Sequence, residues 1–190
     1  MAVTLENHIK VISGSLINRL HEDENGEEYV LYDQHFLAED YGMILENHNP
    51  RKLYLAHNHK GVYVKGGDII LNAISGNCVM VKERDFKMIL PYNYMKLEPK
   101  HSGIDKNFIV AWFQYSEEFK IQFDKIHQGS KNVKKIPLNY LKKLEITLPS
   151  SDKQVTIGKV ERNYTQMRLL REKKKKVEHY NMSRMFDCEI

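Results

Sequence analysis

Residues 8–13 (His-Ile-Lys-Val-Ile-Ser) alternate polar and apolar side chains, the pattern of a strand with one buried face, and Gly14 ends the run. Short β-type runs follow at 29–32, 53–57 and 62–64, each bounded by polar or glycine punctuation. Residues 68–74 form a mostly apolar strand between the turns Gly66-Gly67 and Ser75-Gly76-Asn77, and 78–81 returns as its hairpin partner. Residues 88–97 predict one further strand. Pro91 within it removes a ladder donor, which places this strand at an edge or a bulge. A turn beginning at Pro137 and Asn139 feeds a strand carrying Leu144, Ile146 and Leu148, and Pro149 ends it.

After Pro99 the period changes from two to about three and a half. Asp105 can cap a helix with Phe108, Ile109, Trp112 and Phe113 on one face. Ser116, with Glu117 and Glu118, can start a second helix carrying Phe119, Ile121, Phe123 and Ile126, and Gly129 suits its C-terminal stop. The aromatic residues of this pair read as core. The last predicted helix runs from Asp152 to Tyr180, about 40 Å at 1.5 Å per residue, and Ser151 with Gln154 has the spacing of a capping box. Ile157, Val160, Tyr164 and Met167 follow the 3-4-3 spacing of a helix-pairing seam. The next seam positions are Arg171 and Lys174, so Leu170 and Val177 continue the stripe only after a shift of register. The expected fold class is therefore α+β: a β-rich globule with a twisted, mostly antiparallel sheet and packed helices, followed by a long C-terminal helix. The expected divisions are 1–150 for the globule, 151–180 for the helix and 181–190 for a tail.

With 42% hydrophobic and 28% charged residues, the 190-residue chain has the composition of a soluble globular protein. No apolar run approaches the roughly 18 residues of a membrane span, and the N-terminus lacks a secretory pattern, so the expected location is cytoplasmic, with no membrane. Cys78 and Cys188 lack metal-type spacing and read as ordinary thiols. The net charge of +4 is unevenly spread. Lys159, Arg162, Arg168, Arg171 and Lys173 to Lys176 face only Glu161 and Glu172, whereas Glu22, Asp23, Glu24, Glu27 and Glu28 crowd a predicted polar loop at Asn25-Gly26. The basic surplus permits a polyanionic partner without requiring one.

These elements occur in a telling order: Ile12-Ser13-Gly14, then residues 64–71 (Val-Lys-Gly-Gly-Asp-Ile-Ile-Leu), then 104–109 (Ile-Asp-Lys-Asn-Phe-Ile), then Gln128-Gly129-Ser130, Ile136-Pro137-Leu138, and Leu148-Pro149 through Gln154. Together, over roughly residues 4–178, they resemble the target recognition domain of Type I restriction-modification specificity subunits. A complete member is similar to two such units in one chain, held apart by an antiparallel pair of long helices so that each reads half of a split DNA sequence. This chain carries one unit. The resemblance thus implies a half-length subunit that forms a homodimer through residues 152–180 and docks methylating subunits, and with them a restriction subunit, onto double-stranded DNA.

Recognition of that kind needs cations for phosphate and loop donors and acceptors for base edges. The candidates are Ser15, Asn18 and Arg19 after the first strand, Ser75 and Asn77 at the hairpin turn, and Ser130, Lys131, Asn132, Lys134 and Lys135 after the helical pair. Arg19 is the leading base reader, because a guanidinium can bind guanine bidentately. Catalytic chemistry finds little support. Asn49-Pro50 is followed by Arg51, so the Asn-Pro-Pro-aromatic element of adenine-methylating enzymes is missing, and no glycine-rich nucleotide turn occurs. No catalytic residue, cofactor or metal is assigned. His57 and His59 could share one face of a strand but lack a third ligand. Two rival readings remain: a protein-interaction adaptor that uses only its terminal helix, and a small metal-dependent nuclease built on Glu172.

Overall fold

The computed structural model describes residues 2–128 and 135–187. Its centre is an antiparallel sheet in the order β2-β9-β6-β7, formed by β2 (Ile9–Ser13), β9 (Tyr94–Pro99), β6 (Ile69–Asn72) and β7 (Cys78–Met80). Every residue of β6 is buried, and the two-residue period divides its side chains between two cores. Ile69 and Leu71 join Ile9, Val11, Met95 and Leu97 against helices, while Ile70 faces Val30, Tyr32, Met88 and Tyr94. This two-sided burial is why the run is nearly continuous in apolar residues rather than alternating.

The helical side is built by α3 (Lys106–Tyr115) and α4 (Glu117–Gln128). Asp105 caps α3 through its Oδ1, which accepts from the Phe108 amide at 2.8 Å. Ser116 Oγ accepts from Glu118 and Phe119 at the start of α4. Phe108, Ile109, Trp112, Phe113 and Phe119 are buried as expected, and Phe123 packs against them. Ile121, expected on the same face, is exposed. The side chain of Ile126, and Gly129, lie outside the described residues. Glu118 fastens this layer to the C-terminal strand β10 (Glu145–Thr147): its carboxylate accepts from the Trp112 indole at 2.8 Å and from the Thr147 amide at 3.0 Å.

On the other side lies a sheet in the order β4-β3-β8-β5, made of β4 (Lys52–Leu55), β3 (Glu22–Leu31), β8 (Met88–Ile89) and β5 (Tyr63–Val64). Its β3·β8 pair is the one parallel pairing among the described strands. The strand predicted over 88–97 is therefore two strands in two sheets. Pro91 lies at the crossing between them, where its missing donor costs neither ladder a bond. The acidic run also departs from a plain loop: it opens β3, with both Glu22 and Glu27 opposite Leu55 and the residues between them bulged out. Arg51, Lys52 and Lys87 pair with Glu22, Glu28 and Glu27.

Between the layers, α2 (Gln34–Asp40) is pinned by a buried ionic knot. Asp40 has no exposed side-chain surface and Arg84 only 9%. The two meet at 2.8 Å, and Asp40 also accepts from the Tyr32 hydroxyl at 2.9 Å and from the Lys82 amide at 3.1 Å. Burial pushes the Asp40 carboxyl above its usual range, and Arg84 pulls it partly back.

Besides α2 and the 3-10 turn Ile17–Arg19, three small elements were not foreseen. They are β1 (Ala2–Thr4), which pairs with β10, and the short helices α1 (Leu5–His8) and α5 (Leu138–Lys142). The terminal helix α6 spans Ser151–Asp187, 37 residues and about 55 Å, and it continues unbroken past Tyr180 through residues expected as tail. Gln154 does not reach back in a capping box. It is buried, accepts from the Asp105 amide at 3.2 Å and donates to the Pro149 carbonyl at 2.9 Å, tying α6 to the start of α3.

Candidate nucleic-acid interface

Separate loops converge at the end of the central sheet where β2 and β6 finish and β9 begins. The Gly14 amide donates to the Tyr94 carbonyl at 3.0 Å, and the Ser15 amide to Leu90 at 2.7 Å. Gly14 is needed there, since a Cβ would lie 2.1 Å from the Pro91 carbonyl oxygen. The Ala73 amide bonds the Asn93 carbonyl at 3.0 Å, and the Ile136 amide bonds Ala73 at 2.7 Å. Asn72 organises the hairpin turn by accepting from the Ile74 and Ser75 amides, and its own amide group donates to Gln34 on α2. Gly76 completes that turn with φ +75, a region glycine enters freely.

This rim gathers most of the describable candidates. Asn18 and Arg19 occupy an exposed 3-10 turn, Ile17–Arg19, and their side chains have no hydrogen-bond or ion-pair partner among the described residues. Ser75 and Asn77 are exposed at the hairpin turn. Lys135 donates to the Tyr92 carbonyl with its ammonium 4.7 Å from the Tyr92 ring, and partial burial lowers its pKa. Ser15 departs from expectation: it is buried, and its hydroxyl accepts from the Val62 amide at 2.7 Å, so it joins the two sheets and does not stand open. Ser130, Lys131, Asn132 and Lys134 lie outside the described residues. Tyr92, exposed beside Lys135, escaped the sequence reading because Pro91 had been placed inside a strand rather than at a turn.

The second candidate surface is α6. Its inward face is polar. Glu161 is only 5% exposed, with Thr165 donating to it at 2.8 Å, and burial raises its pKa. Arg168 lies 3.6 Å from the centre of the Tyr41 ring and donates to the Tyr115 hydroxyl at 3.1 Å. Gly158 permits the close approach, because a Cβ there would stand 2.2 Å from Asp105 Oδ1. The apolar stripe lies to one side of this contact face, and Ile157, Val160, Tyr164, Met167, Leu170 and Val177 stay exposed. Beside it runs a groove of about 740 Å³ lined by residues including Trp112, Tyr115, Pro149, Ile157, Val160 and Tyr164. Of the lysine run, Lys174, Lys175 and Lys176 pair with Glu178, Glu172 and Glu46.

The rival chemistries gain nothing from this geometry. Among the described residues no three His, Cys, Asp or Glu side chains converge as a metal site would require. His57 and His59 do not share a strand face, since β4 ends at Leu55 and both His59 nitrogens are engaged, by the Gly61 amide and the Tyr63 hydroxyl. Among the described residues no helix is long and apolar enough to cross a membrane.

No curated protein matches the chain. Solved structures share its fold at 15% identity. The HsdS subunit from Thermoanaerobacter tengcongensis aligns over 92% of this chain and 39% of its own, with a TM-score of 0.56. The S subunit of a Type-I restriction-modification system from M. genitalium aligns over 92% and 41%, at 0.53. A chain from a study of complex assembly and conformational transition of the type I R-M system aligns over 97% and 43%, at 0.60. The chain thus spans about two-fifths of the length of these relatives. A family model covers residues 3–179, nearly the whole sequence, and on that match the chain belongs to the Type I restriction modification DNA specificity domain family.

Proposed function

We propose that the protein is a non-catalytic, sequence-reading subunit of a Type I restriction-modification assembly. Its loop rim engages duplex DNA, and α6 joins it to a second copy and to methylating subunits. The observation that carries this reading is the division of labour between its two surfaces. Exposed polar groups of the loops after β2 and after β6, among them Arg19, Asn18, Ser75 and Asn77, with Lys135 beside Tyr92, support the rim as the reading surface. The stripe on α6 stays apolar and uncovered because the inward face is polar. Phosphate neutralisation by the rim and the adjoining lysines supplies affinity, and the loops supply selectivity.

The dimer follows from the same helix. A stripe at 3-4-3 spacing buries itself against an antiparallel copy, and two-fold symmetry then presents two rims. A helix of about 55 Å exceeds one duplex turn, roughly 34 Å, so two modules can face the same side of DNA. Selection from a randomised duplex pool, by the chain alone and with a methylating subunit, tests the reading. A consensus of two half-sites is expected, with affinity falling steeply with salt and a shallower slope after Lys131, Lys134 and Lys135 are changed to Ala. Enrichment of no sequence in either form would overturn it.

A further inference from the structure

A fixed amide orientation sets what the rim can read beside its hairpin turn. Asn72, only 5% exposed at the end of β6, accepts through Oδ1 from the Ile74 amide at 2.8 Å and from the Ser75 amide at 3.2 Å. Backbone N–H groups only donate, so that atom is the oxygen and the other branch of the side chain is the NH2 group. This group donates to Gln34 at 3.1 Å, and the atom that receives it must be the Gln34 oxygen, Oε1. Gln34 is thereby held in one orientation. Its Nε2 keeps both hydrogens, with no partner among the described residues. The residue is exposed and lines a cleft of about 470 Å³ together with Asp33, Asn72, Ile74, Ser75 and Asn93. Two donors on a buried buttress stand open at the rim.

We propose that Gln34 is a base-reading residue whose amino group donates to a keto oxygen, guanine O6 or thymine O4, in the major groove of the target. This inference rests on the DNA-reading function proposed above and names the chemistry of one of its contacts. In the major groove guanine and thymine present keto acceptors, whereas adenine and cytosine present amino donors. A residue locked as a donor favours the first pair and repels the second. A glutamine free to turn its amide over could pair with adenine through both of its polar atoms, and Asn72 removes that freedom. The minor groove offers acceptors at every base pair, so a donor placed there would select little. Phosphate is the other oxygen-rich ligand on duplex DNA, and the cleft disfavours it. Among the described residues its lining holds no Lys, Arg or His, and it includes the Asp33 carboxylate, whose ionic partner is His48. A neutral base edge meets no such repulsion.

The experiment selects duplexes from a randomised pool with the full chain, alone and with a methylating subunit, as the parent, as Gln34→Glu and as Gln34→Met. Both substitutions fall at an exposed position. The parent consensus is expected to hold guanine or thymine at a position where Gln34→Glu selects adenine or cytosine, because the carboxylate puts an acceptor where the donor stood. Gln34→Met should lose the preference there and keep the rest of the consensus. On the selected duplex, 2-aminopurine for guanine or 5-methyl-2-pyrimidinone for thymine removes the keto oxygen at that position. This should weaken the parent about fivefold, the worth of one hydrogen bond, and leave Gln34→Met unaffected. Inosine in place of guanine keeps O6, lacks only the minor-groove amino group and should bind as guanine does. A consensus unchanged in Gln34→Glu overturns the assignment and leaves DNA reading intact, whereas absence of any consensus in all forms defeats the DNA reading itself. Equal loss of specific and non-specific binding in Gln34→Met would make the residue a phosphate contact, and loss of methylating-subunit capture with the consensus intact would give it to a protein. Either result also overturns the proposal.

Discussion

Replacing Asp40 by Asn tests whether the buried ionic knot holds α2, and with it the Gln34 support of the rim. The substitution preserves volume, so no cavity penalty enters. It removes the charge that faces Arg84 at 2.8 Å and sets an amide in an environment already supplied with donors from Tyr32, Lys82 and Arg84. Arg84, 9% exposed, keeps Glu39 at 3.2 Å and the Lys82 carbonyl at 3.3 Å. Removing Arg84 leaves the wholly buried Asp40 without its cation, which costs about 3–5 kcal/mol, whereas Asp40→Asn costs less, because Arg84 retains Glu39 and burial already disfavours the Asp40 charge. For Arg84→Met in a chain of this size that is roughly 6–20 °C in melting temperature, at about 2–4 °C per kcal/mol. Thermal and urea unfolding of Asp40→Asn, Arg84→Met and the double variant form the cycle. The double variant should recover more than half of the loss, since it leaves no orphaned cation. An Arg84→Met variant within about 1 kcal/mol of the parent, or a double variant whose losses simply add, would refute the coupling.

Tyr164→Lys with Met167→Lys should convert a dimer to a folded monomer by sedimentation equilibrium. Burial of two such side chains contributes on the order of 3 kcal/mol or more, about a hundredfold in Kd, and an unchanged association state would remove the helix from the interface. For Glu161, a native pKa raised by burial above its ordinary 4.5 means that the native state holds the proton more tightly. Its stabilisation is then complete below about 4.5 and is lost as pH rises through the native value. Glu161→Gln should accordingly raise the melting temperature at pH 8 and leave it unchanged at pH 4, and equal effects at both pH values would contradict the sign.

Much of the fold was legible because local signals agreed with tertiary context. The Asp105 and Ser116 caps, the 68–81 hairpin and the aromatic face of α3 follow directly from side-chain chemistry. The misreadings have physical causes. The mostly apolar character of 88–97 concealed a change of sheet at Pro91, because β8 and much of β9 are buried and burial blurs the two-residue period. Strand β1 is three residues long, and its pairing with β10 across the whole chain leaves no local trace. Gln154 has capping-box spacing, but its amide group serves Asp105 and Pro149 instead. The apolar stripe of α6 was visible as a 3-4-3 pattern, whereas its exposure was not, since that depends on Gly158, Glu161 and Arg168 fitting the globule. At the rim, Ser15 looked like an open turn residue until the Val62 amide claimed its hydroxyl.

The central claim places sequence reading at one end of the central sheet, and a comparison of its two ends tests that most directly. Specific and non-specific affinities would be measured on a selected duplex for Arg19→Ala, Ser75→Ala and Asn77→Ala at the rim, and for Lys10→Ala and Lys100→Ala at the far end of the β2·β9 ladder. The rim variants should lose discrimination, by about 1–3 kcal/mol for Arg19 if it pairs with guanine, while the far-end variants keep it. Loss of discrimination at Lys10 or Lys100, with the rim variants unaffected, would contradict the account.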